Sequence, residues 1–265
     1  MVVFAGQGDA RRSMALLWRT GEGGQAPASP GPRPGLTVDA IVAAAIAVAD
    51  EVGMTALSMR AVGERLGRTA MALYTYVHGK SELVDLMYDR TLAELPTSYA
   101  LDAGWRPALT AWAHDSWAFY VRHPWMLQVS QARPVLGPGE FGVLETLVRI
   151  LRETHLEARV LRGVLGALTH HVRGSAQTMA DSRAAAAATG VSDQDWWFSR
   201  SPLLAEVAPD FAERFPMTTW IESDAPQPPE EDQEPYLERA ARQSFQVGLA
   251  VLLDGIETAT KESSG

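Results

Sequence analysis

Two short helical segments separated by a glycine constrain the fold of this chain most strongly. In SMRAVGERLG, residues 58–67, Val62 and Leu66 have the spacing of one buried helix face, and Gly67 can end the helix. The segment after the turn, AMALYTYV at residues 70–77, can form one more short helix. Two short helices joined by such a turn form a helix-turn-helix, whose second helix lies in the DNA major groove. We therefore predict a DNA-binding unit here.

Longer helices flank this unit. The segment LTVDAIVAAAIAVADEVG begins with Thr37, a preferred N-cap residue type, and its apolar residues recur at helical spacing up to Gly53. A fourth helix begins after Gly79 and is stopped by Pro96. These limits predict a three-helix DNA-binding domain with its following helix over residues 36–95.

The rest of the chain, residues 97–265, has the periodicity of larger amphipathic helices, and no strand is evident. A disorder-prone region near 183–195 and a proline-rich acidic loop at 222–235 interrupt them. The predicted helices are 104–122, 124–132, 138–154, 157–181, 202–215 and 234–258. The predicted class is all-α, with an N-terminal helix-turn-helix domain and a larger helical domain.

The first 35 residues end in GEGGQAPASPGPRPG, which is too rich in glycine and proline to bury a core. We expect a flexible arm over residues 1–35, in which MALLW can form a short helix that docks elsewhere. Its arginines have two open interpretations, as contacts to the DNA minor groove or phosphates, or as part of an uninvolved tail. They are Arg11, Arg12, Arg19 and Arg33.

Composition narrows the function. Without cysteine the chain has no disulfide and no thiolate metal site, and without an apolar run of about 18 residues we expect no membrane span and a cytoplasmic location. The net charge of −9 argues against indiscriminate binding to nucleic acid but permits a local DNA-reading surface. The pair His114–Asp115 stands in no nucleophile motif, phosphate loop or metal-ligand spacing, so we expect no enzyme, metal or cofactor.

Residues 36–95 resemble the DNA-binding domain of the tetracycline-repressor (TetR) family of bacterial regulators. The segments LTVDAIVAAAIAVADEVGMTALSMRAVGERLG and ALYTYVHGKSELVDLM carry the resemblance, the second through its LY…Y/H-V/F…K pattern. The resemblance implies that Tyr74 and Lys80 hold phosphates and that Tyr76 also meets the DNA backbone.

The same resemblance implies contacts to bases. Arg60 is a candidate for a bidentate contact to guanine, with a surface ion pair as the alternative. Met71 would face a base edge, with core packing as its alternative. Thr37 and Ser58 would donate to phosphates at helix N-termini. The predicted DNA contacts are Thr37, Ser58, Arg60, Thr69, Ala70, Met71, Tyr74, Thr75, Tyr76 and Lys80.

Residues 97–265 are similar to the ligand-binding and dimerisation domain of the tetracycline repressor. The segments ARPVLGPGEFGVLETLVRIL, THHVRGSAQTMAD and SFQVGLAVLLDGIE carry this similarity. It implies a homodimer built from two helices of each subunit, with stripes of small and apolar residues at 163–168 and 245–253. An exposed stripe of this kind would be costly in a monomer.

Aromatic clusters in this domain suit either a pocket for a flat or apolar ligand or an ordinary core, and both interpretations are open. In alignment with the family, Val129 replaces a metal-binding histidine and Leu147 a polar pocket residue, so we expect a hydrophobic or aromatic effector without metal. The predicted ligand contacts are Trp112, Trp117, Tyr120, Trp125, Met126, Val129, Leu147, His170, His171, Gln177, Trp196 and Trp197.

These observations predict a homodimeric repressor that a small effector releases from a palindromic operator in double-stranded DNA. The alternative is a DNA-binding regulator with no small effector, controlled by a protein partner. For that alternative the acidic loop at 222–235 offers a contact surface.

Overall fold

The computed structural model describes residues 3–19, 35–223 and 235–263, and these are almost entirely helical, which confirms the all-α class. The helices are α1 (Ala10–Leu17), α2 (Val38–Ala56), α3 (Met59–Arg65), α4 (Ala70–Tyr74), α5 (Lys80–Leu92), α6 (Trp105–Arg122), α7 (Pro138–Arg152), α8 (Ala158–Thr189), α9 (Asp193–Val207), α10 (Phe211–Arg214), α11 (Pro216–Ser223) and α12 (Tyr236–Ser263). A 3-10 turn, Pro124–Gln128, follows α6. Within the described residues, no helix is both long and apolar enough to span a bilayer.

One short parallel pairing departs from the helical pattern. The strand β1 (Val3–Phe4) lies beside β2 (Val129–Ser130). The expectation that the chain has no strand is therefore wrong. The pairing could not be predicted locally, because its two strands are distant in sequence. The backbone after the 3-10 turn is not part of a helix, so its N–H and C=O groups need other partners, and the N-terminal residues supply them.

The head, residues 36–95, consists of α2 to α5. Its first three helices begin at the side-chain caps Thr37, Ser58 and Thr69, whose hydroxyl oxygens accept backbone N–H groups at 3.1, 3.1 and 3.4 Å. Each cap satisfies an N–H group that the helix itself leaves unpaired, and is worth about 1 kcal/mol. The core of the head includes Ile41, Met54, Val62, Leu73, Val77, Leu83 and Met87.

Two glycines make the turn between α3 and α4 tight. Gly67 has a φ of 62°, in the left-handed region that favours glycine. A Cβ on Gly63 would lie 2.8 Å from the carbonyl oxygen of Arg68 and 3.2 Å from the amide nitrogen of Ala70. The helix α3 and the turn therefore lie in close contact, and α4 follows directly after this turn.

The body, which comprises the described residues from 97 onward, packs α6, α7 and α12 against the 32-residue helix α8. The helices α8 and α12 approach closely at Gly248, where a Cβ would overlap the ring of His171. The body core includes Trp112, Phe119, Trp125, Met126, Ile150, Leu168, Val172 and Phe245.

The middle of the body is more helical than predicted. Helix α8 continues to Thr189 and α9 begins at Asp193, so the expectation of disorder near 183–195 is wrong. Alanine, the strongest helix former, occupies 184–188 and extends the helix. The single helix predicted over 202–215 is instead divided between α9 and α10.

Residues 3–19 differ from the predicted flexible arm, because they form β1 and α1. Helix α1 contains most of MALLW and buries Leu16 and Leu17 in the main core, as the interpretation of MALLW as a docking helix predicted. Burial of this apolar face offsets the cost of ordering the segment. The rest of the predicted arm, and residues 224–234 of the acidic loop, lie outside the described residues.

Candidate nucleic-acid interface and ligand cavities

The second helix of the helix-turn-helix, α4, has one buried and one exposed face. Leu73 and Val77 are fully buried and hold it to the head. Met71 is 74% exposed, which removes core packing as an interpretation of this residue, and Tyr74 is 40% exposed. The other predicted contacts in this segment are Thr69 and Thr75, both exposed, and Ala70, half-buried. An exposed face on a short, firmly held helix is the arrangement that major-groove reading requires.

Two arginines flank this face. Arg60 is exposed and its Nε donates to Oε1 of Glu64 at 2.8 Å, which is the surface ion pair that the sequence left open. Exposed pairs of this kind contribute little to stability, so Arg60 can exchange Glu64 for another anionic partner. Arg68, in the turn before α4, was missed in the sequence; it is exposed, and its side chain has no partner among the described residues. Its position directly before the cap of the exposed helix is the signal that could have identified it.

The predicted phosphate contacts stand at the N-termini of α2, α3 and α5 and at the end of α4. The Nζ of Lys80 donates to the carbonyl oxygen of Met54 at 3.1 Å, which fixes the ammonium and leaves two of its three donors. Tyr76 is half-buried. The hydroxyls of Thr37 and Ser58 accept as helix caps, and each keeps a proton to donate.

Most of the predicted ligand residues have the surroundings of core side chains. Trp117, half-buried, stacks on Phe245 with 5.3 Å between ring centroids. The fully or nearly buried members of the set are Trp112, Tyr120, Trp125, Met126, Val129 and Leu147. Their burial agrees with the interpretation of these residues as core, which the sequence left open beside that of a pocket.

The remaining predicted ligand residues lie elsewhere in the body. The Nε2 of His171 lies 2.9 Å from the carbonyl oxygen of Phe245, so it carries the proton and donates it. His170 and His171 line a cavity of about 420 Å³ between α8 and α12. Gln177 donates to Asp181 at 2.8 Å. Trp196 and Trp197 are exposed on α9 and meet edge to face, so the twelve predicted residues do not share one cavity.

Arg173 of α8 was not predicted, although it organises the segment before α7. Its Nη2 donates to the carbonyl oxygens of Leu127 and Val129 at 2.7 Å, and its guanidinium lies over the ring of Tyr120. Burial raises the pKa of Tyr88 and of Tyr120 above the ordinary value of a phenol. Its position directly after Val172, within the apolar spacing of α8, is the sequence signal for such a role.

A larger cavity, of about 820 Å³, lies where α1, the head and α7 meet. Its lining includes Leu16, Leu17, Thr37, Val42, Thr75, Tyr76, Leu86, Asp89, Arg90, Leu95, Gly142 and Val143. None of the predicted ligand residues lines it, but three of the predicted DNA contacts do. Sequence patterns could not reveal this cavity, because it forms only when α1 docks between helices distant in sequence.

A buried histidine links the head to the body. The Nδ1 of His123, at the end of α6, lies 2.8 Å from Oδ1 of Asp50 in α2, and its Nε2 lies 3.2 Å from Oε2 of Glu94. Arg122 pairs with the same Glu94 at 3.1 Å. A movement of α6 would therefore displace Asp50 and with it α2, the first helix of the head. Within the described ranges, no group of three or more histidine, aspartate or glutamate side chains could hold a metal ion.

Family models cover most of the chain. Residues 41–87 match the model of bacterial regulatory proteins of the tetR family, and residues 100–260 match that of the tetracyclin repressor-like C-terminal domain. The HTH-type transcriptional repressor DrrR1 of Streptomyces coeruleorubidus is 36% identical over 263 residues, which cover 98% of this chain and 90% of that protein.

Solved structures agree in fold. The structure of apo ActR from Streptomyces coelicolor superposes with a TM-score of 0.65 at 20% identity, covering 88% of this chain and 100% of ActR. ActR in complex with actinorhodin gives 0.64 at 20% identity, over 84% of this chain and 96% of that one. The exposed helix-turn-helix and the two matched domains confirm the predicted resemblance: the chain belongs to the tetR family of bacterial regulatory proteins, as a DNA-binding transcriptional regulator.

Proposed function

We propose that this protein is a homodimeric repressor that a small, largely apolar or aromatic effector releases from a palindromic operator. The observation that carries the DNA-binding half of the proposal is α4, which is anchored by Leu73 and Val77 while Met71 and Tyr74 project outward. The name of its relative DrrR1, a transcriptional repressor, supports the direction of regulation.

On this proposal the head contacts DNA in two ways. Thr37, Ser58, Tyr74, Tyr76 and Lys80 position it on the phosphates, which sets affinity and its salt dependence. The base-reading side chains are those around the exposed face of α4, namely Arg60, Thr69, Ala70, Met71 and Thr75. Apolar side chains such as Met71 favour contact with a thymine methyl group.

The dimer would form through the outer faces of α8 and α12. Phe245, Leu249 and Leu253, which the sequence placed in the dimer stripe, are instead buried within the subunit. Val247 and Val251 of α12 project outward and are 57% and 65% exposed. A two-fold axis here would set two α4 helices at the spacing of successive major grooves, about 34–36 Å.

The effector half is supported by two observations. The structurally similar ActR is known in complex with a small molecule, actinorhodin. This chain also has a cavity of about 820 Å³, within the range of about 300–1,000 Å³ typical of ligand sites. The cavity is lined by α7, which packs against α6. Effector binding would therefore move α6 through α7, and the contact of His123 with Asp50 would transmit the shift to the head.

The test is binding of the full-length protein to DNA upstream of its own gene at fixed salt, followed by challenge of the complex with a panel of aromatic metabolites and drugs. We expect specific retardation and its release by at least one compound. By linkage, operator DNA must weaken binding of that compound by the same factor. A compound and operator that bind without mutual effect would refute the mechanism.

A protein-controlled regulator is the second candidate, and one feature favours it. The helices α9 to α11 expose several large apolar side chains, which marks interaction surfaces in many proteins. These include Phe198, Val207, Met217, Trp220 and Ile221. In the same retardation experiment, release by a cell protein and by none of the small molecules would select this candidate.

A further inference from the structure

The larger cavity is enclosed on one side by α1, and contacts of α1 and of the two residues after it hold this segment to both the head and the body. On the head side, Nε of Arg12 pairs with Glu82 at 3.1 Å and Nη2 of Arg19 pairs with Asp39 at 2.7 Å. On the body side, the indole Nε1 of Trp18 donates to the carbonyl oxygen of Leu136 at 2.9 Å. The helix thus forms one wall of a space whose other walls belong to α2, α5 and α7.

Most of this lining is apolar. Leu16 and Leu17 come from α1, Val42 from α2, Leu86 from α5 and Val143 from α7. These side chains give the cavity an apolar wall on all four helices. Burial of a ligand's apolar surface against these side chains would favour its binding.

The charged side chains of the lining differ in whether they have an ion-pair or hydrogen-bond partner. Three arginines and two aspartates line the cavity, and Glu82, which lies outside the lining, pairs with Arg12. Arg12 and Arg19 have the ion pairs given above, and Oδ1 of Asp89 accepts the backbone N–H of Glu140 at 2.9 Å. The side chain of Arg90, exposed in the last turn of α5, has no hydrogen bond or ion pair within the described residues. An anionic group would find its partner at this guanidinium.

We infer that this cavity binds a small amphipathic anion, with an apolar body among the leucines and valines and an acidic group at Arg90. Thr75 and Tyr76, at the end of the exposed helix-turn-helix segment, form part of the same wall. A ligand that fills the cavity therefore contacts the segment proposed to hold DNA. The effect on operator affinity rests on the proposed function, whereas the binding site itself does not.

The probes are anilinonaphthalene sulfonate, an aromatic anion, and phenylnaphthylamine, which lacks the sulfonate and is otherwise matched. Hydrogen exchange on the full-length protein would locate them, because exposed apolar surface on α9 to α11 can also bind such dyes. We expect the sulfonate to protect amides of α1 and of the first turns of α7. Protection confined to α9–α11, or no protection at all, would overturn the inference.

Two substitutions test the lining. Arg90→Gln should weaken the sulfonate about threefold to fivefold and leave phenylnaphthylamine unchanged, since one partly exposed charge pair is lost. Gly142→Leu should weaken both probes, because Gly142 lines the cavity and a Cβ there meets no atom within 4 Å, so the added side chain can occupy cavity space. Gly142→Ala and Arg149→Gln are the matched controls and should change neither. If the sulfonate bound Arg90→Gln as tightly as it binds wild type, the assignment of an anion to this site would be overturned.

Retardation of operator DNA separates this inference from the proposed function. Release of the operator by the sulfonate, abolished in Gly142→Leu, supports both. Release by another compound that protects only other amides leaves the proposed function standing and refutes the effector role of this cavity. Protection of α1 and α7 without any effect on the operator confirms the site and refutes its coupling to DNA.

Discussion

The indole Nε1 of Trp125 in the body donates a 2.8 Å hydrogen bond to Oδ1 of Asp50 in the head. Trp125 is fully buried, and the same Asp50 oxygen also faces Nδ1 of His123. One carboxylate thus ties the first helix of the DNA-binding head to the segment after α6.

Loss of the Asp50 carboxylate should weaken the contact between head and body and lower the free energy of unfolding. Asp50→Ala leaves the buried indole N–H of Trp125 unpaired, which costs about 1–3 kcal/mol in the free energy of unfolding. Asp50→Asn keeps an acceptor oxygen and should lose less. Urea denaturation measures both, and an Asp50→Ala protein as stable as wild type would contradict the link.

The tight turn predicts an asymmetry between two glycine substitutions. Gly63→Ala places a Cβ 2.8 Å from a backbone oxygen of the turn, so the head should lose about 1–3 kcal/mol of stability and α4 should shift. Gly142→Ala, in an open position of α7, should be neutral or stabilising by up to about 1 kcal/mol. Thermal unfolding of the two variants, compared with wild type, tests the difference, and equal losses would be inconsistent with the packing of α3.

The two faces of α4 should respond in opposite ways. Met71→Ala removes an exposed side chain and should leave the unfolding free energy within about 0.5 kcal/mol of wild type while changing operator affinity. Leu73→Ala removes a fully buried one and should cost about 2–5 kcal/mol. Denaturation and DNA binding of both proteins check this, and a large stability loss in Met71→Ala would show that the residue packs in the core.

Burial of Asp89 gives a pH dependence with a definite sign. Burial raises the pKa of this carboxyl, only partly opposed by backbone N–H donors of Glu140 and Gly139. A raised folded-state pKa means that folding binds a proton, so the group's contribution to stability is fully present below its unfolded pKa of about 4 and is lost as pH rises through the folded value.

Asp89→Asn should therefore flatten the fall in stability between acidic and neutral pH and should not lower stability at pH 7. The loop variant Asp102→Asn, which also removes one charge, serves as control. Denaturation midpoints across this pH range would show the effect, and parallel curves for Asp89→Asn and wild type would contradict it.

The dimer face can be tested with a pair of exposed valines. Val251→Glu, at 65% exposure on α12, should convert the dimer to monomer because a charge enters an apolar interface. Val52→Glu, at 61% exposure in the head, adds the same charge elsewhere and should leave the dimer intact. Light scattering after gel filtration distinguishes the two, and a Val251→Glu dimer would place the interface on another surface.

Local signals made the head predictable from the sequence. Thr37 and Ser58 were recognisable as caps, and Gly67 as the helix terminator, because each acts on its own backbone within three residues. The exposed side of α4 followed from the helix-turn-helix pattern, although only the structure decides between the two interpretations of Met71. Residue-level DNA roles stay predictions.

The body and its cavities were less predictable because they depend on non-local packing. Ligand positions inferred from aromatic residues such as Trp112 and Trp125 lie in the core, since the same residues suit a core and a pocket equally. To predict that Leu16 and Leu17 dock between head and body, one would have to know of the groove made by α2, α5 and α7. Sequence spacing carries no information about such a groove.

The most direct test of the central claim is the affinity of Tyr74→Ala for operator DNA, measured with wild type and with Tyr236→Ala, an exposed tyrosine of α12, at one salt concentration. We expect Tyr74→Ala to bind about tenfold more weakly, equivalent to a lost phosphate contact of about 1.4 kcal/mol, and Tyr236→Ala to bind like wild type. Wild-type affinity and specificity in a folded, dimeric Tyr74→Ala protein would contradict the assignment of α4 and its flanks as the DNA-binding surface.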